Sequence, residues 1–219
     1  MNLYIDDGNT KKIEKLFKIG IFSGVSTNPS IIKNSGRKPL ELIEEILKIT
    51  DGNLFVQAVS NNYDDLVKEG KKINKIDPER VIIKIPFSSY GLAAVKELEK
   101  CSCRTLVTAI YSYEQAVLSI EAGTEYIAPY VNRMENAGIP IEDVKLMQEY
   151  IENNKKNCEI VAASFKSLAQ VRKVISYGVE NITISSDLYS TIFGNELVKK
   201  AIENFDKDWK SIKDKKWVI

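Results

Sequence analysis

The residue with most chemical potential in this sequence is a lysine inside an apolar run, Val81-Ile82-Ile83-Lys84-Ile85-Pro86. In a strand, Ile82, Lys84 and Pro86 share one face while Val81, Ile83 and Ile85 share the other. If the odd-numbered face packs on helices, Lys84 points into the interior of the sheet. Desolvation disfavours an ammonium and lowers its pKa, leaving the neutral amine that attacks a carbonyl to form a Schiff base. The spacing also fits a lysine paired with a strand-end carboxylate such as Asp6, or an edge lysine that snorkels to water.

Other polar residues fall where short β-rich runs end. Leu3-Tyr4-Ile5-Asp6 closes on a carboxylate, although Asp6 and Asp7 could simply turn the chain into a helix capped near Asn9 or Thr10. In Gly24-Val25-Ser26-Thr27-Asn28-Pro29-Ser30, Asn28 reads equally as an N-cap with Pro29 at the first helical position. Gln57 is the single polar residue of Leu54–Val59, and Thr108 lies at the end of the fifth run. Tyr130 and Arg133 follow Pro129, and Ser164 follows Ile160-Val161-Ala162-Ala163. Tyr130 could equally be packing, and Arg133 a surface ion pair.

Composition removes competing chemistries. The chain has 219 residues and no histidine, which excludes Ser-His-Asp and Cys-His catalysis and HExxH zinc hydrolysis. Acid–base work falls to Lys, Tyr, Asp, Glu, Cys or bound water. Cys101, Cys103 and Cys158 have neither the number nor the spacing of a zinc site, so no metal and no cofactor is expected. With 31 basic and 30 acidic residues, nothing predicts a nucleic acid or a membrane as partner. The opening MNLYID has no basic n-region or long apolar run, and three thiols suit a reducing compartment, so a cytoplasmic location is expected.

Eight strand-like runs alternate with amphipathic helical stretches. The runs are 3–6, 24–27, 54–59, 81–86, 105–109, 126–128, 159–163 and 181–185; the helical stretches include 40–49, 63–76, 90–100, 113–122 and 141–153. Eight such units predict an α/β fold, a closed (β/α)8 TIM barrel with a C-terminal helical extension. The rival, an open doubly wound sheet, usually has fewer strands and often a glycine-rich nucleotide turn; neither GxGxxG nor GxxxxGK[ST] occurs. One domain is expected over 1–219, with 204–219 as a tail. Trp209, Ile212 and Trp217 in that tail would either close one end of the barrel or dock on a neighbouring subunit. In such a barrel the chemistry gathers where strands end, and Ser164 and Ser185–Ser186 fall at the corner that often holds a phosphate.

Four separated motifs, Gly24–Ser30, Lys84-Ile85-Pro86, Ala128-Pro129-Tyr130-Val131-Asn132-Arg133 and Ala162-Ala163-Ser164-Phe165-Lys166, resemble the transaldolase family, most closely its small fructose-6-phosphate aldolase branch. The resemblance implies a metal-independent Schiff-base enzyme without cofactor, acting on sugar phosphates and dihydroxyacetone as a ring-like homo-oligomer. It implies Lys84 as the Schiff-base residue, with Asp6 and Asn28 on the dihydroxyacetone hydroxyls and in proton transfer. It implies Arg133 and Ser164 as the phosphate pair, and a catalytic water held by Gln57, Thr108 and Tyr130. Gln57 and Tyr130 stand where transaldolases proper usually carry Glu and Phe, which places the chain on the aldolase side. Ser26, counted among the substrate-binding residues, stands where Thr is usual, and Asp7-Gly8 adds a second carboxylate beside Asp6. The alternatives are a transaldolase that passes the three-carbon unit to an aldose phosphate, and a non-catalytic sugar-phosphate-binding barrel.

Overall fold

The computed structural model describes residues 1–213. The strands are β1 (Asn2–Asp6), β2 (Phe22–Ser26), β3 (Asn53–Gln57), β4 (Val81–Pro86), β5 (Thr105–Ile110), β6 (Tyr126–Pro129), β7 (Glu159–Ala162) and β8 (Asn181–Ile184). Between them run α1 (Thr10–Phe17), α2 (Pro29–Ser35), α3 (Pro39–Ile49), α4 (Tyr63–Asn74), α5 (Ser89–Lys100), α6 (Tyr113–Glu121), α7 (Val131–Asn136), α8 (Asp143–Asn153) and α9 (Leu168–Ile175). All strand pairs are parallel, and β8 returns to β1 to close the barrel. The expected (β/α)8 barrel is the observed fold. It occupies one compact unit, Met1–Ser186.

Side-chain alternation sorts the barrel interior into levels. The lower level is polar. Arg104 donates to both Glu125 carboxylate oxygens and to Asn53 Oδ1, while Asn181 receives a hydrogen bond from Asn2 and donates to Glu159. Above it lies an apolar plug of Tyr4, Phe55, Ile82, Leu106, Tyr126 and Val161. Its aromatic rings meet edge to face, at 4.9 Å for Tyr4–Phe55 and 5.7 Å for Phe55–Tyr126. Continuing two residues along the strands brings Asp6, Gln57, Lys84 and Thr108 to the upper level. The plug therefore floors the site and keeps water from the opposite end of the barrel.

Most strand limits fall within a residue or two of expectation, and the departures have local causes. β3 stops at Gln57 because the amides of Val59 and Ser60 turn to the Glu69 carboxylate, Ser60 at 2.8 Å. β2 begins earlier, at Phe22, which pairs with Leu3. The approach of β2 to β3 is close: a Cβ on Gly24 would lie 2.0 Å from the Asn53 carbonyl oxygen, so only glycine fits. β5 runs on to Ile110 through a bulge at Ala109, whose φ is +60°.

A second compact unit starts at Asp187. The helices α10 (Ser186–Phe193) and α11 (Glu196–Ser211) supply the expected C-terminal helical extension. Along α11, Leu197, Val198, Ile202, Phe205 and Trp209 recur at helical spacing and are all exposed. Trp217 lies outside the described residues. No described helix is long and apolar enough to cross a membrane.

Candidate active site

Lys84 is buried at 4% exposure, which removes the snorkelling alternative. Its Nζ donates to Ser26 Oγ at 3.0 Å and to the Thr27 carbonyl at 2.9 Å. Burial pushes the amine below the ordinary lysine range, and the charge of Asp6 offsets part of that shift. Asp6 moves oppositely: burial raises its carboxyl, and Lys84 and a hydrogen bond from Ser26 offset part of the rise. Ser26 thus accepts from the amine and bonds the carboxylate, a hydroxyl bridge between the two. A carboxylate neighbour and a lowered amine pKa coexist here because burial outweighs the charge of Asp6.

The two readings of Asp6 and Asp7 divide between the residues. Asp7 makes the turn: its carboxylate accepts from the amides of Gly8 and Asn9 and from the Ser186 hydroxyl. Asp6 lines a cavity of about 220 Å³ at the top of the barrel, together with Lys84, Asn28, Tyr130, Arg133 and Ser164. Asn28 caps a helix and also lines this cavity. Its Oδ1 caps α2 by accepting from the Ile31 amide at 2.9 Å, which leaves Nδ2 as the donor on the cavity side.

Across the cavity, Arg133 projects from α7 with its guanidinium 4.7 Å from the Tyr130 ring centroid and donating to Tyr111 Oη at 3.3 Å. Its contacts are aromatic, not the surface carboxylate that one reading expected. Ser164 sits at φ +63°, an unusual conformation for a residue with a side chain. The segment is held by Gln170, whose Oε1 accepts from the Lys166 and Ser167 amides while Nε2 donates to Asn132 Oδ1 and Glu135 Oε2. One buried amide thereby ties the Ser164 loop to the helix carrying Arg133. Gln170→Glu keeps the acceptor but opposes Glu135, and should lower stability by about 1–3 kcal/mol. Adding Glu135→Gln restores a donor and should recover most of the loss in thermal melts; no recovery would show the bridge to be unimportant.

Tyr130 packs on the apolar plug, and its hydroxyl accepts from Thr108 Oγ1 at 2.9 Å. Burial raises the phenol pKa, with Thr108 and Arg133 pulling it partly back. Packing and polar chemistry thus meet in one side chain. Gln57 stands apart. It is the register partner of Lys84, but it lines a separate apolar cavity of about 450 Å³ with Pro29, Ile32 and Ile43 rather than the Lys84 chamber. Of the three expected water-holding residues, only Thr108 and Tyr130 are in direct contact.

The family model described as "Transaldolase/Fructose-6-phosphate aldolase" matches residues 3–216. The chain belongs to the transaldolase/fructose-6-phosphate aldolase family. Among curated relatives, a protein named "Probable transaldolase" from Thermodesulfovibrio yellowstonii is 33% identical over 214 residues, 97% of this chain and all of the relative. One of the same name from Streptococcus agalactiae is 36% identical over 216 residues, 98% of this chain and all of that one. Among solved structures, an inosine 5′ monophosphate dehydrogenase from Legionella pneumophila matches with a TM-score of 0.61 at 12% identity, covering 86% of this chain and 58% of that one. That last likeness is one of barrel fold alone.

The cavity also includes residues given no role on sequence grounds, Lys166, Thr183 and Asn132, and it includes Ser185 of the expected phosphate corner. Lys166 had a readable signal, a cation two residues after Ser164. Thr183 had a weaker one, a single hydroxyl in the apolar run Ile182-Thr183-Ile184.

Proposed function

We propose that the protein is a class I, metal-independent aldolase that cleaves or forms fructose 6-phosphate from dihydroxyacetone and glyceraldehyde 3-phosphate. The observation that carries this reading is Lys84, a desolvated amine bonded to Ser26 and Thr27 within a chamber that also holds a carboxylate. Neutral Lys84 attacks the C2 carbonyl of the ketose phosphate, and loss of water gives an iminium that Asp6 stabilises. A base in the chamber takes the C4 hydroxyl proton, and Tyr130, with a water that it holds together with Thr108, serves the later protonation of the enamine. The C3–C4 bond breaks, its electrons pass to the iminium, and the aldehyde phosphate leaves. Protonation of the enamine and hydrolysis return the amine and dihydroxyacetone. Arg133 and Ser164 bind the phosphate, Asn28 the hydroxyls of the three-carbon unit; no metal or cofactor takes part.

A second reading, a transaldolase that passes the enamine to an aldose phosphate, draws on the names of the relatives. Gln57 and Tyr130 favour the lyase. Fructose 6-phosphate is expected to release free dihydroxyacetone without erythrose 4-phosphate; turnover only when that acceptor is present would establish the transaldolase instead. The remaining partners in this proposal are further copies of the chain in a ring-like homo-oligomer, supported by the exposed apolar stripe of α11. A cytoplasmic location is supported by the three free thiols.

A further inference from the structure

Thr183 faces the barrel interior from β8, in register with Tyr4 of β1. It is 3% exposed, and it lines the same cavity as Lys84 and Asp6. Its Oγ1 is buried without a hydrogen-bond partner among the described residues. Buried polar groups are satisfied in the great majority of cases, so an orphan calls for a reason. Other buried hydroxyls mark the contrast: Ser26 serves Lys84 and Asp6, Thr108 serves Tyr130, and Thr124 reaches Thr105. Thr183 alone of these is left open, at a position that the apolar plug leaves facing the chamber.

We infer that Thr183 is a further substrate-binding residue, whose hydroxyl pairs with a hydroxyl of the short hydroxyketone held at Lys84. The inference deepens the Schiff-base reading and rests on it. A threonine used only to fill space would be served as well by valine, which has the same shape and no desolvation cost. An orphan hydroxyl that finds its partner in the ligand destabilises the empty protein and strengthens binding, a trade common at functional sites.

The test is Thr183→Val, with Thr183→Ser as the conservative control. Dihydroxyacetone is titrated against each protein under borohydride, and adduct at Lys84 is counted by mass. Thr183→Val is expected to raise the half-saturating dihydroxyacetone concentration roughly 3–10-fold, the worth of one neutral hydrogen bond. Thr183→Ser should return it close to the parent value. In the absence of ligand, Thr183→Val should melt higher, by roughly 2–4 °C, because it removes an unpaired buried hydroxyl. Unchanged half-saturation, or a lower melting temperature, overturns the assignment: the first leaves the hydroxyl without a ligand, the second shows that the protein itself satisfies it. Failure of the parent protein to be labelled at all would instead reject the Schiff-base reading, so the two failures are distinct.

Discussion

Lys84→Met is expected to abolish borohydride capture of dihydroxyacetone and to reduce turnover by on the order of 10⁴-fold or more, the scale of loss when a covalent nucleophile is removed. Methionine has nearly the length of lysine and suits the apolar plug beneath Lys84, where Ile82 and Leu106 are buried. The substitution does strand two groups: the Ser26 hydroxyl loses its donor and Asp6 loses the cation opposite. Circular dichroism must therefore accompany the assay, and Lys84→Arg provides a variant that retains the charge but cannot form an imine. Residual labelling in a folded Lys84→Met protein would show that another amine is the nucleophile.

The pH dependence of capture follows from the same contacts. Burial lowers the Lys84 pKa, so the neutral amine appears at lower pH than in a free lysine, whose value is about 10.4. The rise of labelling with pH should have its midpoint below that value. Asp6 acts in the opposite sense, because its negative charge favours the ammonium. Asp6→Asn should consequently move the midpoint further to the acid side even as overall turnover falls. The same lowered pKa links to stability: the unfolded chain binds the proton more tightly, so the folding cost of Lys84 is full below its native pKa and fades as pH rises towards 10.4.

The barrel was legible because its signals are local. Strand runs, capping residues such as Asn9 and Asn28, and the alternation around Lys84 are all carried by neighbours in sequence. β4 alone shows this well: its limits, its inward face and its buried lysine follow from six consecutive residues. What stayed hidden depends on contacts between distant strands. That Gln170 joins the Ser164 loop to Glu135 across 35 positions has no sequence signature, because a glutamine at the third position of a helix reads equally as a simple cap. Gln57 shows the converse, a residue whose alternation is right but which lines the neighbouring apolar cavity. Thr183 was faint for a related reason. An inward hydroxyl is ordinary in a barrel strand, and only the surrounding geometry shows that it lacks a partner among the described residues.

Tyr130→Phe should separate the two reactions that this family's chemistry allows. General acid–base groups contribute about 10²–10⁴-fold, and cleavage with release of dihydroxyacetone should fall by that order. The ring itself is retained, and with it the packing on the plug and the stack beneath Arg133, which depends on the aromatic face rather than on the hydroxyl. Binding of the phosphate, read as the KM for fructose 6-phosphate or as inhibition by inorganic phosphate, should therefore change little. Labelling of Lys84 should also persist, since Ser26, Thr27 and Asp6 hold the amine without help from Tyr130. The enamine would then form but be protonated slowly, which lengthens its life and leaves it available to an added aldose phosphate. Transfer is thus expected to survive while release collapses. The deletion also leaves Thr108 Oγ1, only 1% exposed, without its acceptor, so a modest loss of stability of about 1 kcal/mol should accompany the kinetic change. Unchanged cleavage would remove Tyr130 from the relay, and equal loss of cleavage and transfer would move it to a step the two reactions share, before the carbon–carbon bond breaks.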